Sequence, residues 1–495
     1  GESRMNLAVV IRATAGLCEV VNRHATGTPT LVVGCDARYG SSEFATAACR
    51  VASAAGVRVL ALPQANPTPL TSFSMLHFDA DAGVMVTASH NPAPDNGYKV
   101  YLGGTVVQGD GRGVQIVPPF DAEIAAAIEA APPADEVPMN DDLIEAVDPR
   151  EEYVACASAL ASGEASARED LRIVLTAMHG VGAAITSRVL SEAGFSHVSL
   201  VAAQADPDPD FPTVPFPNPE EAGALDMAIE QAREQGADLI IAVDPDADRC
   251  ALAVPDPTSE MGWSPLSGDQ IGSLLGEFLA SRGMKGSLAN SIVSSRLLSR
   301  IARAHGLDHH TTLTGFKWIA RAPGLGFGYE EAIGFCPDPA HVRDKDGIAT
   351  SVVAASLVAA LKAQGCSVWD ELERLARLHG LHVSSPLTFR VEQIEQIASG
   401  MARLRAQPPS VLAGSPVVEV SDLSQGYRGL PPTDGVLVLT EAGDRVIARP
   451  SGTEPKLKCY LEVILPVAEG EVLPWEQARE RLDSIKGAFA EIIGL

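Results

Sequence analysis

Paired cysteines are missing from this sequence, and their absence argues against two kinds of protein. The eight cysteines stand singly, with no Cys-x-x-Cys pair, at positions 18, 35, 49, 156, 250, 336, 366 and 459. Disulfide-rich secreted domains and cysteine-ligated zinc sites both show closer and more regular spacing. We therefore predict reduced thiols, most of them buried.

Basic residues are also scarce, with 37 Lys and Arg against 63 Asp and Glu and a net charge of −26. A field of this sign repels nucleic acid and anionic membranes. No apolar run approaches the roughly 20 residues of a membrane span, and no signal peptide opens the chain at Gly1. The simplest assignment is a cytoplasmic enzyme without nucleic-acid or membrane partners, and the sequence leaves monomer or dimer open.

One local pattern recurs three times along the chain. An apolar strand, a helical stretch and a second apolar strand follow one another in residues 30–62, 172–201 and, more faintly, 287–314. Such a run within about 30 residues is the βαβ unit of a mainly parallel sheet. The repeats predict three related α/β domains.

The C-terminal region has a different character. A predicted helix at 392–405 precedes two apolar runs, 436–440 and 445–448, that flank a turn, and a terminal helix is predicted at 474–493. This order indicates an α+β domain. The predicted fold is α/β, with three related βαβ-type domains of mixed, mainly parallel sheets plus a C-terminal α+β domain. The predicted boundaries are 1–150, 151–265, 266–382 and 383–495.

In the first domain, the stretch Thr87–Tyr101 has the residue types best suited to catalysis, and it directly follows the apolar run Ala82–Val86. It is predicted to form a loop that carries a serine, a histidine, two asparagines, two prolines and a lysine, Lys99. Pro92 and Pro94 restrict the residues before them and oppose helix formation, which keeps Ser89 at a strand end. Ser89 is the candidate nucleophile, with an ordinary polar turn as the alternative.

A second buried run, 238–243, ends in three alternating carboxylates, Asp244, Asp246 and Asp248. Alternate residues of an extended segment point to one side, and this many oxygen donors favour a hard cation. An EF-hand loop is excluded because its sixth and twelfth positions would be Arg249 and Pro255. We predict a Mg²⁺ site, completed by a phosphate on Ser89, with a solvated acidic turn as the alternative.

Two further stretches have binding chemistry. One combines a guanidinium, hydroxyls and a glycine, which indicates an anion-binding cradle. The alternative is a tight turn alone. The candidate residues of the cradle are Arg449, Ser451, Gly452, Thr453 and, more weakly, Lys456. The other, 328–334, places Glu330 and Glu331 among glycines, and carboxylates accept hydrogen bonds from sugar hydroxyls.

In their order and spacing, these stretches resemble the α-D-phosphohexomutase superfamily, the phosphoglucomutases and phosphomannomutases. The match lies in Thr-Ala-Ser-His-Asn-Pro around Ser89, in the aspartate triad and in residues 449–455. The resemblance implies four domains around a central cleft, with Mg²⁺ as cofactor. It also implies Lys99 as general acid or base and Arg249 beside the metal. His90 either orients the serine loop or is a structural imidazole.

The resemblance implies that a phosphoryl group moves between C1 and C6 of glucose or mannose phosphate through phospho-Ser89 and a sugar bisphosphate, which is also the activator. Two features depart from the family pattern. Ala332 stands where many members have serine, and with residues 341–347 it favours the branch that contains phosphopentomutases and sugar-bisphosphate synthases. The Gly-Thr-x-Gly-x-Arg-Gly segment near the start is not visible, consistent with a chain that begins late.

Several functions therefore remain open at this stage. A phosphopentomutase or a glucose-1,6-bisphosphate synthase would use the same residues. A metal-dependent sugar phosphatase would hydrolyse the phosphoserine instead of returning its phosphoryl group, and a non-catalytic sugar-phosphate sensor would only bind.

Overall fold

The computed structural model describes residues 5–391, 393–450 and 455–494. The chain divides into two compact units. Unit 1 comprises residues 1–289 and 316–368, and unit 2 comprises residues 290–315 and 369–495.

The first sheet of unit 1 has the strand order β5-β4-β3-β1-β2-β6. Strands β1, β2, β3 and β6 are parallel, whereas β4 pairs antiparallel with β3 and β5 pairs antiparallel with β4. Alternate residues of β1 enter different apolar clusters, Leu31 and Val33 in one and Val32 in the other, so both faces of the sheet are covered. Its elements in chain order are α1 (Leu7–His24), β1 (Thr30–Cys35), α2 (Ser41–Ala54), β2 (Arg58–Ala61), α3 (Thr68–His77), β3 (Ala82–Val86), β4 (Tyr98–Leu102), β5 (Val114–Gln115), α4 (Phe120–Ala130) and β6 (Ile144–Ala146).

The second sheet repeats this plan with the order β11-β10-β9-β7-β8. Strand β7 pairs in parallel with β8 and β9, whereas β10 pairs antiparallel with β9 and β11 pairs antiparallel with β10. The mixed sheets and the first two strand-helix-strand repeats are thus confirmed. The elements are α5 (Arg150–Ser158), α6 (Ala165–Glu169), β7 (Arg172–Thr176), α7 (Ala183–Glu192), β8 (His197–Leu200), α8 (Asp226–Gln235), β9 (Leu239–Val243), β10 (Cys250–Pro255) and β11 (Trp263–Pro265).

The third region again contains a strand, a helix and a strand where the sequence predicts them. Its first helix begins with a capping box, in which the Ser267 and Gln270 side chains satisfy each other's backbone amides. Strands β14 and β15 form an antiparallel pair. The elements are α9 (Gly268–Ser281), β12 (Ser287–Ser291), α10 (Leu297–Ala304), β13 (His309–Thr312), α11 (Phe316–Ile319), β14 (Leu325–Glu330), β15 (Gly334–Cys336), α12 (Gly347–Ala363) and α13 (Val368–His379).

The C-terminal sheet lies in unit 2 and is antiparallel throughout, in the order β16-β21-β20-β19-β18-β17. The predicted hairpin is present as β19 and β20, which confirms the α+β character. The placement of four domains around a cleft stays a prediction, as do the domain boundaries. The elements are β16 (Leu381–Arg390), α14 (Ile394–Ala406), β17 (Val411–Leu412), β18 (Ser415–Asp422), β19 (Val436–Thr440), β20 (Arg445–Pro450), β21 (Lys456–Leu465) and α15 (Trp475–Ile493).

A buried charge cluster ties the parts of unit 2 together. The fully buried carboxylate of Glu462 accepts hydrogen bonds from Arg296 Nε at 2.6 Å and from His382 Nδ1 at 3.1 Å, and Arg445 Nη2 lies 3.4 Å away. Burial alone would raise the pKa of Glu462, but the positive charge of Arg445 and the other contacts hold that pKa well below its usual range. The carboxylate is therefore ionised and paired.

All eight cysteines are free thiols, as predicted, and most are buried while Cys366 is exposed. Among the described residues no single helix has the length and apolar character to cross a membrane. One strongly bent pair, Gly347–Ala363 with Val368–His379, meets the length and composition criteria when its members are taken together.

Candidate active site

Three of the predicted site loops occupy equivalent positions in unit 1. Each follows a strand and precedes its antiparallel neighbour: the serine loop joins β3 to β4, the aspartate loop joins β9 to β10, and the glutamate loop joins β14 to β15. The folding of unit 1 brings the first two together, because Ser89 Oγ donates a hydrogen bond of 2.6 Å to Asp244 Oδ2. The predicted nucleophile thus contacts the predicted metal site.

Ser89 is held in an unusual backbone conformation. Its φ is +50°, the left-handed region that a non-glycine residue rarely adopts. The Ser89 amide donates to Thr87 Oγ1 at 2.9 Å, and His90 Nδ1 lies 3.3 Å from Ser89 Oγ. Burial, assisted by Arg249, lowers the pKa of His90 to about 3. The imidazole beside the serine is therefore neutral.

The aspartate triad is fully buried, and oxygens of Asp244, Asp246 and Asp248 lie within 4.8 Å of one another. Burial and the two neighbouring carboxylates raise the pKa of Asp244 well above its usual value. Within the described residues, Asp246 Oδ1 and Asp248 Oδ1 are buried and receive no hydrogen bond. Buried carboxylate oxygens without a hydrogen bond are costly, so the convergence of the three carboxylates fits a hard cation such as Mg²⁺.

The Oδ2 atoms of Asp246 and Asp248 face two ammonium groups. Lys99 Nζ donates to Asp246 Oδ2 at 2.7 Å and to Asp248 Oδ2 at 2.6 Å, and Lys345 Nζ lies 3.2 Å from Asp248 Oδ2. Burial opposes the charged form of Lys99, but the surrounding carboxylates outweigh it and raise the pKa of Lys99 above its usual value. Lys99 is thus a protonated amine in this arrangement.

The prediction that Lys99 lies in a loop is wrong. Lys99 belongs to strand β4 and pairs in register with Met85 of β3. The prolines and asparagines end at Asn96, and the chain then resumes the sheet through Tyr98. The strand gives Lys99 a fixed direction towards the triad, which a flexible loop would not.

Arg249 links the aspartate loop to the glutamate loop. Its backbone amide donates to Asp244 Oδ1 at 2.9 Å, and its guanidinium donates to the carbonyl of Ala332 at 2.7 Å. Burial lowers the pKa of Arg249, but nearby carboxylates led by Glu330 outweigh this and raise it. Glu330 ends β14, and Glu331 follows in the turn; both are half-buried.

The predicted anion cradle belongs to unit 2. Arg449 lies near the end of β20 and pairs in register with Lys458 of β21, and Lys456 begins β21 opposite Arg390 of β16. The predicted residues Ser451, Gly452 and Thr453 lie outside the described residues.

Three buried side chains of the site were not predicted from the sequence. Thr68 Oγ1 donates to Asp246 Oδ2 at 2.5 Å, Lys345 contacts Asp248, and Arg38 hydrogen-bonds the serine loop. Only Lys345 could have been identified from the sequence, because it lies in the stretch 341–347 that resembles the family. Thr68 and Arg38 lie in segments where the sequence offered no motif.

Three α/β regions with serine, aspartate and glutamate loops at equivalent strand ends, followed by an antiparallel C-terminal domain, define an α-D-phosphohexomutase. Comparison with known families agrees region by region. Phosphoglucomutase/phosphomannomutase α/β/α domains I, II and III match residues 1–134, 151–258 and 267–377, and the C-terminal domain of that family matches 390–471. The chain belongs to the phosphoglucomutase/phosphomannomutase family and is an isomerase.

Individual relatives carry several names. A "Probable phosphomannomutase" of Haemophilus influenzae is 43% identical over 466 residues, which cover 92% of this chain and 93% of that protein. A phosphoglucomutase of Staphylococcus aureus is 31% identical (94% and 87% covered), and the human phosphopentomutase is 30% identical (99% and 86% covered). A solved family member from Burkholderia thailandensis superposes with a TM-score of 0.72 at 20% identity, covering 99% of this chain and 94% of that one, which supports the fold alone.

Proposed function

We propose that this enzyme moves a phosphoryl group between C1 and C6 of a hexose, glucose or mannose, through a phosphorylated Ser89 and a sugar bisphosphate intermediate. The observation that carries the proposal is the contact of 2.6 Å between Ser89 Oγ and Asp244 Oδ2, in a buried triad where Asp246 Oδ1 and Asp248 Oδ1 receive no hydrogen bond. A phosphate on Ser89 would lie next to these oxygens. Bound Mg²⁺ would neutralise charge that develops on the transferring phosphoryl oxygens.

The proposed cycle has two transfers. In the first, the bond between phosphorus and Ser89 Oγ breaks and a bond from phosphorus to a sugar hydroxyl oxygen forms, giving the bisphosphate. In the second, the other phosphoryl group returns to Ser89 Oγ. In each transfer the attacking hydroxyl loses one proton and the departing oxygen gains one, so one shuttle balances the step. Lys99 is the proposed shuttle: as a protonated amine it would give its proton to the departing oxygen and take the proton of the attacking hydroxyl. His90 would orient the serine loop.

The remaining proposed roles concern binding. Glu330, with Glu331 beside it, would accept hydrogen bonds from sugar hydroxyls, and Arg249 would hold the glutamate loop against the metal loop. The non-reacting phosphate would be held by residues of the C-terminal domain: Arg449, Ser451, Gly452, Thr453 and Lys456. A free sugar bisphosphate would act as activator by phosphorylating Ser89. We further propose a cytoplasmic enzyme without nucleic-acid or membrane partners, consistent with its charge of −26.

Four competing functions would use the same residues but give different products. A pentose mutase is the first of them, supported by the human phosphopentomutase among the relatives and by the alanine at position 332. A glucose-1,6-bisphosphate synthase, a metal-dependent sugar phosphatase and a sugar-phosphate sensor complete the set. Phosphorus NMR with glucose, mannose and ribose 1-phosphates and a trace of bisphosphate separates them. Positional exchange indicates a mutase, and free phosphate indicates a phosphatase. Because a synthase accumulates bisphosphate only from a second phosphoryl donor, the reaction is repeated with an added acyl phosphate. Accumulating bisphosphate then indicates a synthase, and no change in either mixture indicates a sensor.

The test of the mechanism is Ser89→Ala, with exposed Ser399→Ala as the matched control. We expect Ser89→Ala to abolish positional exchange and to remove the phosphate found by mass spectrometry on the peptide containing residue 89. The control should retain both. Unimpaired turnover in Ser89→Ala would refute the phosphoserine mechanism.

A further inference from the structure

The guanidinium group of Arg38 binds the serine loop through several backbone carbonyls at once. Its Nη2 donates to the carbonyls of Ser89 and Asn91, both at 2.6 Å. Its Nη1 donates to the carbonyls of Pro92 at 2.9 Å and Asp95 at 3.2 Å. One side chain therefore fixes the peptide groups on both sides of the two prolines.

Arg38 is itself immobilised by its surroundings. It is only 5% exposed, and its Nε lies 3.5 Å from Oδ2 of the buried Asp36. Asp36 Oδ1 in turn accepts from Ser41 Oγ at 2.6 Å, which anchors it to the start of α2. The ring of Phe211 lies below the guanidinium, 4.9 Å from its central carbon. A donor held this firmly fixes the position of what it binds.

The serine loop needs such support because of its backbone conformation. A left-handed residue other than glycine is strained and persists only where its neighbours hold it. The Ser89 amide is held by Thr87 Oγ1, and the Ser89 carbonyl is held by Arg38. With both peptide groups fixed, the hydroxyl of Ser89 points at Asp244.

We infer that Arg38 is the positioning residue for the phosphoryl-carrying serine: it holds Ser89 in the left-handed conformation that directs Oγ at the metal site. The inference rests on the proposed function, because it assumes that Ser89 carries the phosphoryl group. Arg38 acts through the loop backbone, so the sugar itself is not its ligand. Its removal should slow phosphoryl transfer and leave sugar binding nearly unchanged.

The fork of the guanidinium is what matters in this role, in addition to its charge. A lysine ammonium is a compact point charge and cannot span carbonyls on both sides of Pro92 and Pro94. Arg38→Lys therefore keeps the charge and loses the geometry. Arg12→Lys is the matched control, since Arg12 donates to the carbonyls of Ile128, Glu129 and Ala131 at the end of α4, a segment without predicted site residues.

The experiment measures Ser89 phosphorylation by glucose 1,6-bisphosphate, followed by intact mass, together with steady-state turnover. A misplacement of about 1 Å at a reacting group costs about 100-fold in rate. We expect Arg38→Lys to lower kcat and the phosphorylation rate by roughly that factor, with KM for the sugar phosphate changed less than about threefold. Hydrogen exchange should accelerate in the peptide spanning residues 88–97 only. Arg12→Lys should leave all four readouts unchanged.

Two outcomes would overturn the inference alone: normal phosphorylation of Ser89 in Arg38→Lys, or an equal loss in Arg12→Lys. If the unsubstituted protein acquires no phosphate on Ser89, the proposed function fails and the inference fails with it. Should Arg38→Lys not fold, Phe211→Leu tests the same point, since it removes the ring below the guanidinium. It should slow Ser89 phosphorylation by about tenfold, and a normal rate would overturn the inference.

Discussion

Replacing Lys99 with methionine would test the electrostatics of the site most directly. Lys99 Nζ lies 2.7 Å from Asp246 and 2.6 Å from Asp248, and both carboxylates are completely buried. Methionine keeps the approximate length of the side chain and removes only the charge. The variant therefore leaves two buried carboxylates with one cation fewer.

The expected loss of stability follows from burial. Removing one partner of a buried ion pair costs about 3–5 kcal/mol, because the remaining charge is left desolvated. A surface pair offers the matched control: Lys362 Nζ lies 2.6 Å from Asp238 Oδ2, but its side chain is 43% exposed. Pairs of that kind contribute about 0.2–1 kcal/mol. Lys362→Met should thus cost several-fold less than Lys99→Met.

Magnesium should reduce the difference in the free energy of unfolding between Lys99→Met and the unsubstituted protein. A divalent cation on the triad restores the missing positive charge, and a ligand at 100 times its Kd stabilises the folded state by about 2.7 kcal/mol. We expect Mg²⁺ to stabilise Lys99→Met more than the unsubstituted protein and to leave Lys362→Met at a constant small deficit. Unfolding in Mg²⁺ and in EDTA, with calorimetric titration of Mg²⁺, measures both effects.

Two results would refute this reasoning. A loss in Lys99→Met that is the same with Mg²⁺ and with EDTA would show that the triad does not hold the metal. Equal losses in Lys99→Met and Lys362→Met would show that the buried carboxylates are satisfied in another way. Either result would also remove the reason for placing a phosphorylated Ser89 at this metal site.

Three further predictions address separate parts of the chain. Asp246→Asn should weaken Mg²⁺ binding at least tenfold by titration, and unchanged binding would contradict the metal assignment. The pKa of Glu462 is depressed, so its stabilisation is complete above the ordinary glutamate pKa of about 4.3 and is lost as pH falls towards its folded-state pKa. In urea unfolding at pH 6, Glu462→Gln should have a lower free energy of unfolding than the unsubstituted protein, and that free energy should fall less steeply as the pH is lowered. Exposed Glu441→Gln should match the unsubstituted protein. At pH 8 iodoacetamide should label exposed Cys366 first, because burial raises the pKa of thiols such as Cys250 to about 12; a first label elsewhere by peptide mass would contradict this.

Much of the fold could be predicted because buried strands have a local signature. Residues 239–243 are fully buried and apolar, and the carboxylates begin at the next position, so strand and metal loop could be read together. The serine loop could be predicted for the same reason. Both depend on residues that are adjacent in the chain.

The partners of these loops could not be predicted, because they come from distant parts of the chain. Thr68 donates to Asp246 across 178 positions, and Lys345 reaches Asp248 from a separate loop. Neither threonine nor lysine has a pattern that marks it as a ligand of buried carboxylates. Lys99 was identified only through the family resemblance, and its strand was missed because the turn-forming residues before it dominate the local sequence.

A backbone feature common to the three loops explains how unit 1 holds its site. Ser89, Ala247 and Ile333 all have positive φ, between 50° and 57°. None is glycine or asparagine, the residues by which sequence analysis would detect this conformation. Each lies in the loop that joins a strand to its antiparallel neighbour, so each of the three loops contains one left-handed residue other than glycine.

Contacts between unit 1 loops can offset the cost of these conformations. The amide of Thr68 donates to the Asp246 carbonyl at 2.9 Å, and the amide of Cys250 donates to the Ile333 carbonyl at 3.1 Å. The metal loop is thereby hydrogen-bonded to the start of α3 on one side and to the glutamate loop on the other. Strain of about 1–3 kcal/mol at each left-handed residue persists only where such contacts fix the backbone. The same contacts hold the oxygens of the aspartate triad in place before any cation or phosphate arrives, which is the condition for electrostatic stabilisation of a transferring phosphoryl group.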